Sequence, residues 1–150
     1  MSDHYQAPGW FTKNVFNPTV AGLTKAGISV KGSRVLAVRG RTSGEWRTTP
    51  VNLLDYDGKQ YLVAPRGVTA WVKNIRVAGA GELRLGKKVQ PFTVTEITGA
   101  DAVPVLREYL RRWKWEVGQF FGGVGPDASL AELQRIAPDH PVFLIDLEAA

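Results

Sequence analysis

The sequence predicts an α+β domain of about six mostly antiparallel strands, with peripheral helices inserted late. Three observations carry that reading. Asp57-Gly58 stands between the strand-like runs Leu53-Leu54-Asp55-Tyr56 and Lys59-Gln60-Tyr61-Leu62-Val63, the pattern of a two-residue hairpin. Apolar runs separated by glycine-marked turns recur over 34–97. The clearest helical periodicity comes after them, over about 101–121, where Val103, Leu106, Leu110, Trp113, Val117 and Phe120 return at steps of three and four. Strands of this number and length suit a small closed barrel or an open sheet, and composition does not choose between the two.

Taken in order, Asn17-Pro18 reads as an N-cap with proline at the first helical position, and Gly27 as a stop, giving a short helix over 18–25. Strands follow at 34–39 and 50–56, then the hairpin into 59–63. Thr69 is the expected N-cap of a helix that places Trp71, Val72, Ile75 and Ala78 on one face and ends at Gly79. Glu82-Leu83-Arg84-Leu85 and the run 89–97 form two more strands around Gly86-Lys87-Lys88. On the long helix, Arg107, Arg111, Arg112 and Lys114 lie off the apolar stripe, and so do Trp115 and Phe121, which are expected at the surface. Ser129 and Glu132 make a capping box opening a helix that Pro138 ends, and Val142-Phe143-Leu144-Ile145-Asp146-Leu147 is the last strand. His140, before a proline at that strand's entry, fits a structural turn better than proton donation.

The 150 residues read as one domain, 1–150, with 1–14 as a flexible N-terminal segment. Hydrophobic residues make up 44% and charged residues 22%, an ordinary globular balance without a stretch long enough for a membrane helix. The opening residues Met1-Ser2-Asp3-His4-Tyr5-Gln6 lack the basic-then-apolar order of a secretory signal. With no cysteine, disulfides, thiolate metal sites and a cysteine nucleophile are excluded, which fits a cytoplasmic location. Nineteen Lys+Arg against 14 Asp+Glu give a net charge of +5. Lys31, Arg34, Arg39, Arg41 and Arg47 face only Glu45 across 31–47, and the six cations between Arg66 and Lys88 face only Glu82. Such a face favours anionic partners. Without a helix-turn-helix, zinc-ligand spacing or RNP-type motif, nucleic acid is not among those expected.

The densest anion-seeking element is Gly40-Arg41-Thr42-Ser43-Gly44-Glu45-Trp46-Arg47-Thr48-Thr49-Pro50. Its glycines allow a tight turn, and its hydroxyls and two arginine forks offer donors suited to phosphate or carboxylate oxygens. It matches neither GxxxxGK[ST] nor GxGxxG, so by itself it is either an anion-binding loop or a solvated connection.

Together with Tyr61-Leu62-Val63-Ala64-Pro65-Arg66-Gly67, Trp71-Val72-Lys73-Asn74-Ile75-Arg76, Gly81-Glu82-Leu83-Arg84-Leu85-Gly86 and His140-Pro141-Val142-Phe143, this loop resembles the deazaflavin-dependent nitroreductase family, whose members use coenzyme F420. The resemblance spans roughly 15–147 in consistent order and rests on the order of its stretches rather than on any one motif. It implies a split β-barrel and hydride transfer between the reduced cofactor and a small organic acceptor of the quinone, nitro or enone type. By that resemblance, Arg41, Thr42, Ser43, Gly44 and Arg47 hold the phosphate and polyglutamate tail. Thr49, Pro50 and Val51 run beside the deazaflavin ring, Ala64, Pro65, Arg66 and Gly67 form the opposite lip, and Trp71 and Asn74 close the site. Hydride transfer is the cofactor's chemistry, so no catalytic side chain and no metal are required.

Two departures qualify the resemblance. Thr42 stands where many relatives carry lysine, and where some relatives place tyrosines near the substrate the nearest aromatics here are Tyr109, Trp113, Trp115, Phe120 and Phe121. Tyr109, Trp115 and Phe121 are the candidates for the substrate pocket. A basic surface with Trp115 and Phe121 exposed would also permit peripheral membrane contact. An FMN-dependent reductase on a similar barrel is the alternative enzyme. A non-catalytic binder of the cofactor, or of a fatty-acid-like apolar ligand, is the alternative class. Nothing in these patterns sets the oligomeric state.

Overall fold

Seven strands share one sheet in the computed structural model, which describes residues 32–147 apart from the side chains of Trp115 and Glu116. The expected helix over 18–25 and the segment 1–14 lie outside the described residues. The strands are β1 (Ser33–Arg39), β2 (Trp46–Asn52), β3 (Leu54–Tyr56), β4 (Lys59–Val63), β5 (Ala80–Leu85), β6 (Lys88–Ile97) and β7 (Val142–Leu147). They are ordered β2-β1-β5-β6-β7-β4-β3, and every pairing is antiparallel.

The two strands at the ends of that order, β2 and β3, are consecutive in the chain and separated only by Leu53. A single residue spans at most about 3.6 Å. The sheet must therefore curl until its ends meet, which decides for a split barrel over a flat sheet. The run 50–56, expected as one strand, is thus two. Leu53 is where the chain leaves its pairing with β1 for its pairing with β4, and its amide donates to the Gly32 carbonyl at 2.9 Å. The Asp57-Gly58 hairpin is present, with both residues at positive φ (54° and 75°) and Tyr56 opposite Lys59. That is the primed turn whose twist matches the flanking strands.

Among the described residues three α-helices accompany the sheet: α1 (Ala70–Ala78), α2 (Val103–Val117) and α3 (Leu130–Ile136). Helix α1 packs Val72 and Ile75 against Leu36, Val38, Leu62, Leu83, Phe92 and Phe143 in one core cluster, and Gly79 ends it in the left-handed conformation. A second cluster sets α2 and α3 against Leu54, Tyr61 and Val63. The expected helix over 101–121 is divided into a 3-10 turn Gly99–Ala102, α2 and a 3-10 turn Gly118–Phe121. The backbone at Trp113 already departs from helical geometry (φ −128°, ψ 16°), although its side chain is fully buried. In α3 the Ser129 hydroxyl accepts from the Glu132 amide at 3.1 Å, the expected N-terminal cap.

Candidate functional site

The β1–β2 connection is a tight, hydrogen-bonded turn. Gly40 donates to the Glu45 carbonyl at 2.8 Å, and Gly44, at φ 73°, donates to the Gly40 carbonyl at 2.9 Å. A Cβ on Gly40 would lie 2.9 Å from the Ser43 hydroxyl, which itself accepts from the Glu45 amide at 3.1 Å. The glycines therefore shape this loop, and Arg41 and Thr42 stand at its exposed tip. Helix α1 fixes Arg41 from below. The buried side-chain oxygen of Asn74 accepts from the Arg41 amide at 3.0 Å and from its guanidinium at 2.8 Å.

Beside that loop lies a cavity of about 580 Å³. Among the expected cofactor contacts, Arg41, Thr42, Ser43, Arg47, Thr49, Arg66, Trp71 and Asn74 line it. Pro50, Val51, Ala64, Pro65 and Gly67 line a narrower pocket of about 40 Å³, with Tyr109 at its wall. Thr49, Arg66, Thr69 and Trp71 belong to both, so the two form one groove with a basic end and an apolar end. No carboxylate lines either part. Gly44 is brought to the loop but not to the groove wall; its part is the turn.

The geometry supplies three kinds of contact. Strand β2 is bonded in the sheet on one side only, and because the Leu53–Gly32 and Gly40–Glu45 bonds put Thr49 and Val51 in the positions that face β1, it is the backbone of Thr48 and Pro50 that faces away from β1. The first turn of α1 opens on the groove through Thr69, Ala70 and Trp71 with no acidic residue there, so its partial positive charge adds to Arg41, Arg47 and Arg66. Trp71 is held by Phe143, with ring centroids 5.7 Å apart at 58°, and presents a flat wall.

Sequence reasoning counted Thr48 among the loop's hydroxyl donors without assigning it to the cofactor, and passed over Thr69 as part of this wall. Thr69 stands at the N-cap of α1, as expected, but its hydroxyl makes no cap bond, and Oγ1 is buried without a hydrogen-bond partner.

The expected substrate aromatics divide. Tyr109 is buried and reaches the narrow pocket. Phe121, expected exposed, is only 1% accessible and stacks on His140 with centroids 3.9 Å apart and planes 16° apart. Because Gly118–Phe121 is a 3-10 turn, it winds more tightly than the α-helical spacing assumed, and Phe121 swings inward. Phe121 thus joins neither the groove nor an exposed membrane-facing surface. Trp115 lies outside the described side chains. His140 is itself 2% exposed, with Nδ1 3.0 Å from the Pro65 carbonyl oxygen. Among the described residues no cluster of His, Cys, Asp or Glu could hold a metal ion, and no helix is long and apolar enough to cross a membrane.

Comparison with known proteins gives a family and a fold. The sequence profile of the F420H(2)-dependent quinone reductase family matches residues 12–118. Among solved structures, the F420-H2 dependent reductase FDR-A is 18% identical with a TM-score of 0.55, over 77% of this chain and 95% of that one. A structure described as a domain-swapped dimer is 19% identical with a TM-score of 0.51, over 91% and 97%. General Stress Protein 26 from Bacillus anthracis str. Sterne is 10% identical with a TM-score of 0.53, over 85% of each chain. At these identities the structural likeness is one of fold. Among curated proteins none matches.

Proposed function

The chain belongs to the F420H(2)-dependent quinone reductase family, and from that premise we propose that its groove binds coenzyme F420 and a small organic acceptor of the quinone, nitro or enone type. The observation that carries the proposal is the continuity of a basic cavity with an apolar slot through Thr49, Arg66, Thr69 and Trp71. A cofactor with a phosphodiester and a polyglutamate tail needs a cationic end, and a flat deazaflavin ring needs an apolar one. A cavity of about 580 Å³ is of the size that holds small ligands.

Arg41, Thr42, Ser43 and Arg47 would bind the phosphate and tail, and Thr49, Pro50 and Val51 would flank the ring. Ala64, Pro65, Arg66 and Gly67 would form the lip opposite, with Trp71 across the ring. The buried, unpartnered Thr69 hydroxyl at the junction fits a polar ligand atom drawn close. In reduced form the bound deazaflavin supplies the hydride. The protein's part is to orient the cofactor and to keep water from the reacting faces with Val51, Ala64, Trp71 and Tyr109.

Fluorescence titration with oxidised F420, run beside FMN at the same salt concentration, tests the cofactor assignment. Saturable binding selective for F420, followed by oxidation of the reduced cofactor when a quinone is added, is expected. Preference for FMN would replace the reading by a flavin reductase. Tight F420 binding without turnover of any acceptor would replace it by a carrier.

A further inference from the structure

We propose that His140 is a positioning residue for the lip of residues 64–67, acting on the groove through the carbonyl of Pro65. The inference rests on reading that groove as the F420 site. The β4–β7 ladder runs as far as Val63 opposite Val142 and is extended by the Ala64 amide donating to the Pro141 carbonyl at 2.9 Å. Beyond it, backbone pairing ends: Pro141 lacks the N–H that would return the bond to Ala64, and the His140 amide donates instead to the Ala137 carbonyl at 3.1 Å.

His140 takes over at that point. Its Nδ1 lies 3.0 Å from the Pro65 carbonyl oxygen, and a carbonyl only accepts, so Nδ1 carries the proton. The parallel Phe121 ring at 3.9 Å fixes the imidazole plane. Pro65 and His140 are both buried, so water cannot substitute for the lost donor. The peptide held in this way leads directly into Arg66, which lines both parts of the groove, and Gly67 closes the turn by donating to the Ala64 carbonyl at 3.2 Å. Removing the donor therefore releases the lip from behind without touching a groove residue.

Two variants separate the hydrogen bond from packing. His140→Asn keeps an amide donor near the Nδ1 position but loses the ring, and His140→Leu keeps bulk without a donor. Amide exchange at Ala64 and Gly67 is followed in the unliganded protein, and F420 affinity is measured at a temperature where all forms are folded. In His140→Leu we expect exchange at both amides to rise roughly tenfold, β5–β6 amides to keep wild-type rates, and F420 to bind roughly tenfold more weakly. His140→Asn is expected to hold both near wild type. Wild-type exchange in His140→Leu overturns the proposal. So does His140→Asn behaving like His140→Leu, which would assign the effect to ring packing, or unchanged F420 affinity in His140→Leu. Failure of the wild type to bind F420 would instead sink the cofactor reading, while the exchange rates still decide whether His140 holds the lip.

Discussion

The side-chain oxygen of Asn74 accepts two hydrogen bonds from Arg41, one from its amide at 3.0 Å and one from its guanidinium at 2.8 Å. The pair joins a helix that contributes Val72 and Ile75 to the core to the exposed tip of the β1–β2 loop. Asn74 is only 5% exposed while Arg41 is exposed, so the bonds are part-buried, shielded on the Asn74 side alone. Asn74→Ala should loosen Arg41 and weaken F420 binding by about 1–2 kcal/mol, on the order of tenfold. Asn74→Asp keeps the loop in place but sets a carboxylate against Arg41, cancelling charge the anionic tail would use. It should lose affinity with little loss of loop order. Titration of both variants is the check, and wild-type affinity in both would detach Arg41 from the site.

Arg47 lies on the cavity wall and pairs with no carboxylate among the described residues, so its charge is available to a ligand. Arg47→Ala should weaken F420 binding by about 1.5–3 kcal/mol, ten- to hundred-fold. The deficit should shrink as salt is raised, because an exposed charge is screened. An affinity unchanged by the substitution at low salt would remove the loop from the cofactor site.

Asn74 was named only through the family resemblance, whereas Arg41 and Arg47 were singled out by local chemistry, two arginine forks beside glycines in a turn, a pattern that suits an anion-binding loop or a solvated connection alike. The Asp57-Gly58 hairpin and the Ser129 cap were legible for the same reason, since each is settled within four residues. Closure of the sheet was legible only through the family resemblance, because it depends on β2 and β3 lying at opposite ends of the strand order, a fact of pairing and not of pattern. Phe121 was misplaced by extending a 3.6-residue period through a segment that winds as a 3-10 turn. The Asn74–Arg41 and His140–Pro65 bonds join residues 33 and 75 positions apart, a distance over which sequence periodicity says nothing.

Gly81 sits in β5 where the neighbouring β1 backbone and the Phe92 ring leave no room for a side chain. A Cβ there would lie 2.7 Å from the Ala37 carbonyl oxygen and 3.0 Å from the Phe92 ring. The first contact is with backbone in a paired strand and cannot yield by a rotamer change. Gly81→Ala should therefore destabilise the barrel by about 1–3 kcal/mol, lowering the thermal midpoint by several degrees. Because Gly81 does not line the groove, F420 affinity below the transition should stay at wild type. An unchanged midpoint would mean that β1 and β5 separate easily at this point.

Tyr61 links the fold to alkaline pH. Burial, with the negative charge of Asp57 and then the Tyr56 phenol adding to it, raises its pKa above the ordinary phenol value. Below about pH 10 the phenol is protonated in both folded and unfolded chains, and its titration does not affect stability. Above that, the unfolded chain loses the proton first, the native state holds more protons, and stability falls as pH rises toward the folded-state value. Denaturant melts of wild type and Tyr61→Phe between about pH 8 and 11 should run parallel at the lower end and diverge at the upper, with the wild type losing more. The difference isolates Tyr61, since the other tyrosines titrate in both proteins. A gap that stays constant through the whole range would show that the Tyr61 hydroxyl ionises as easily in the folded protein as in the unfolded one.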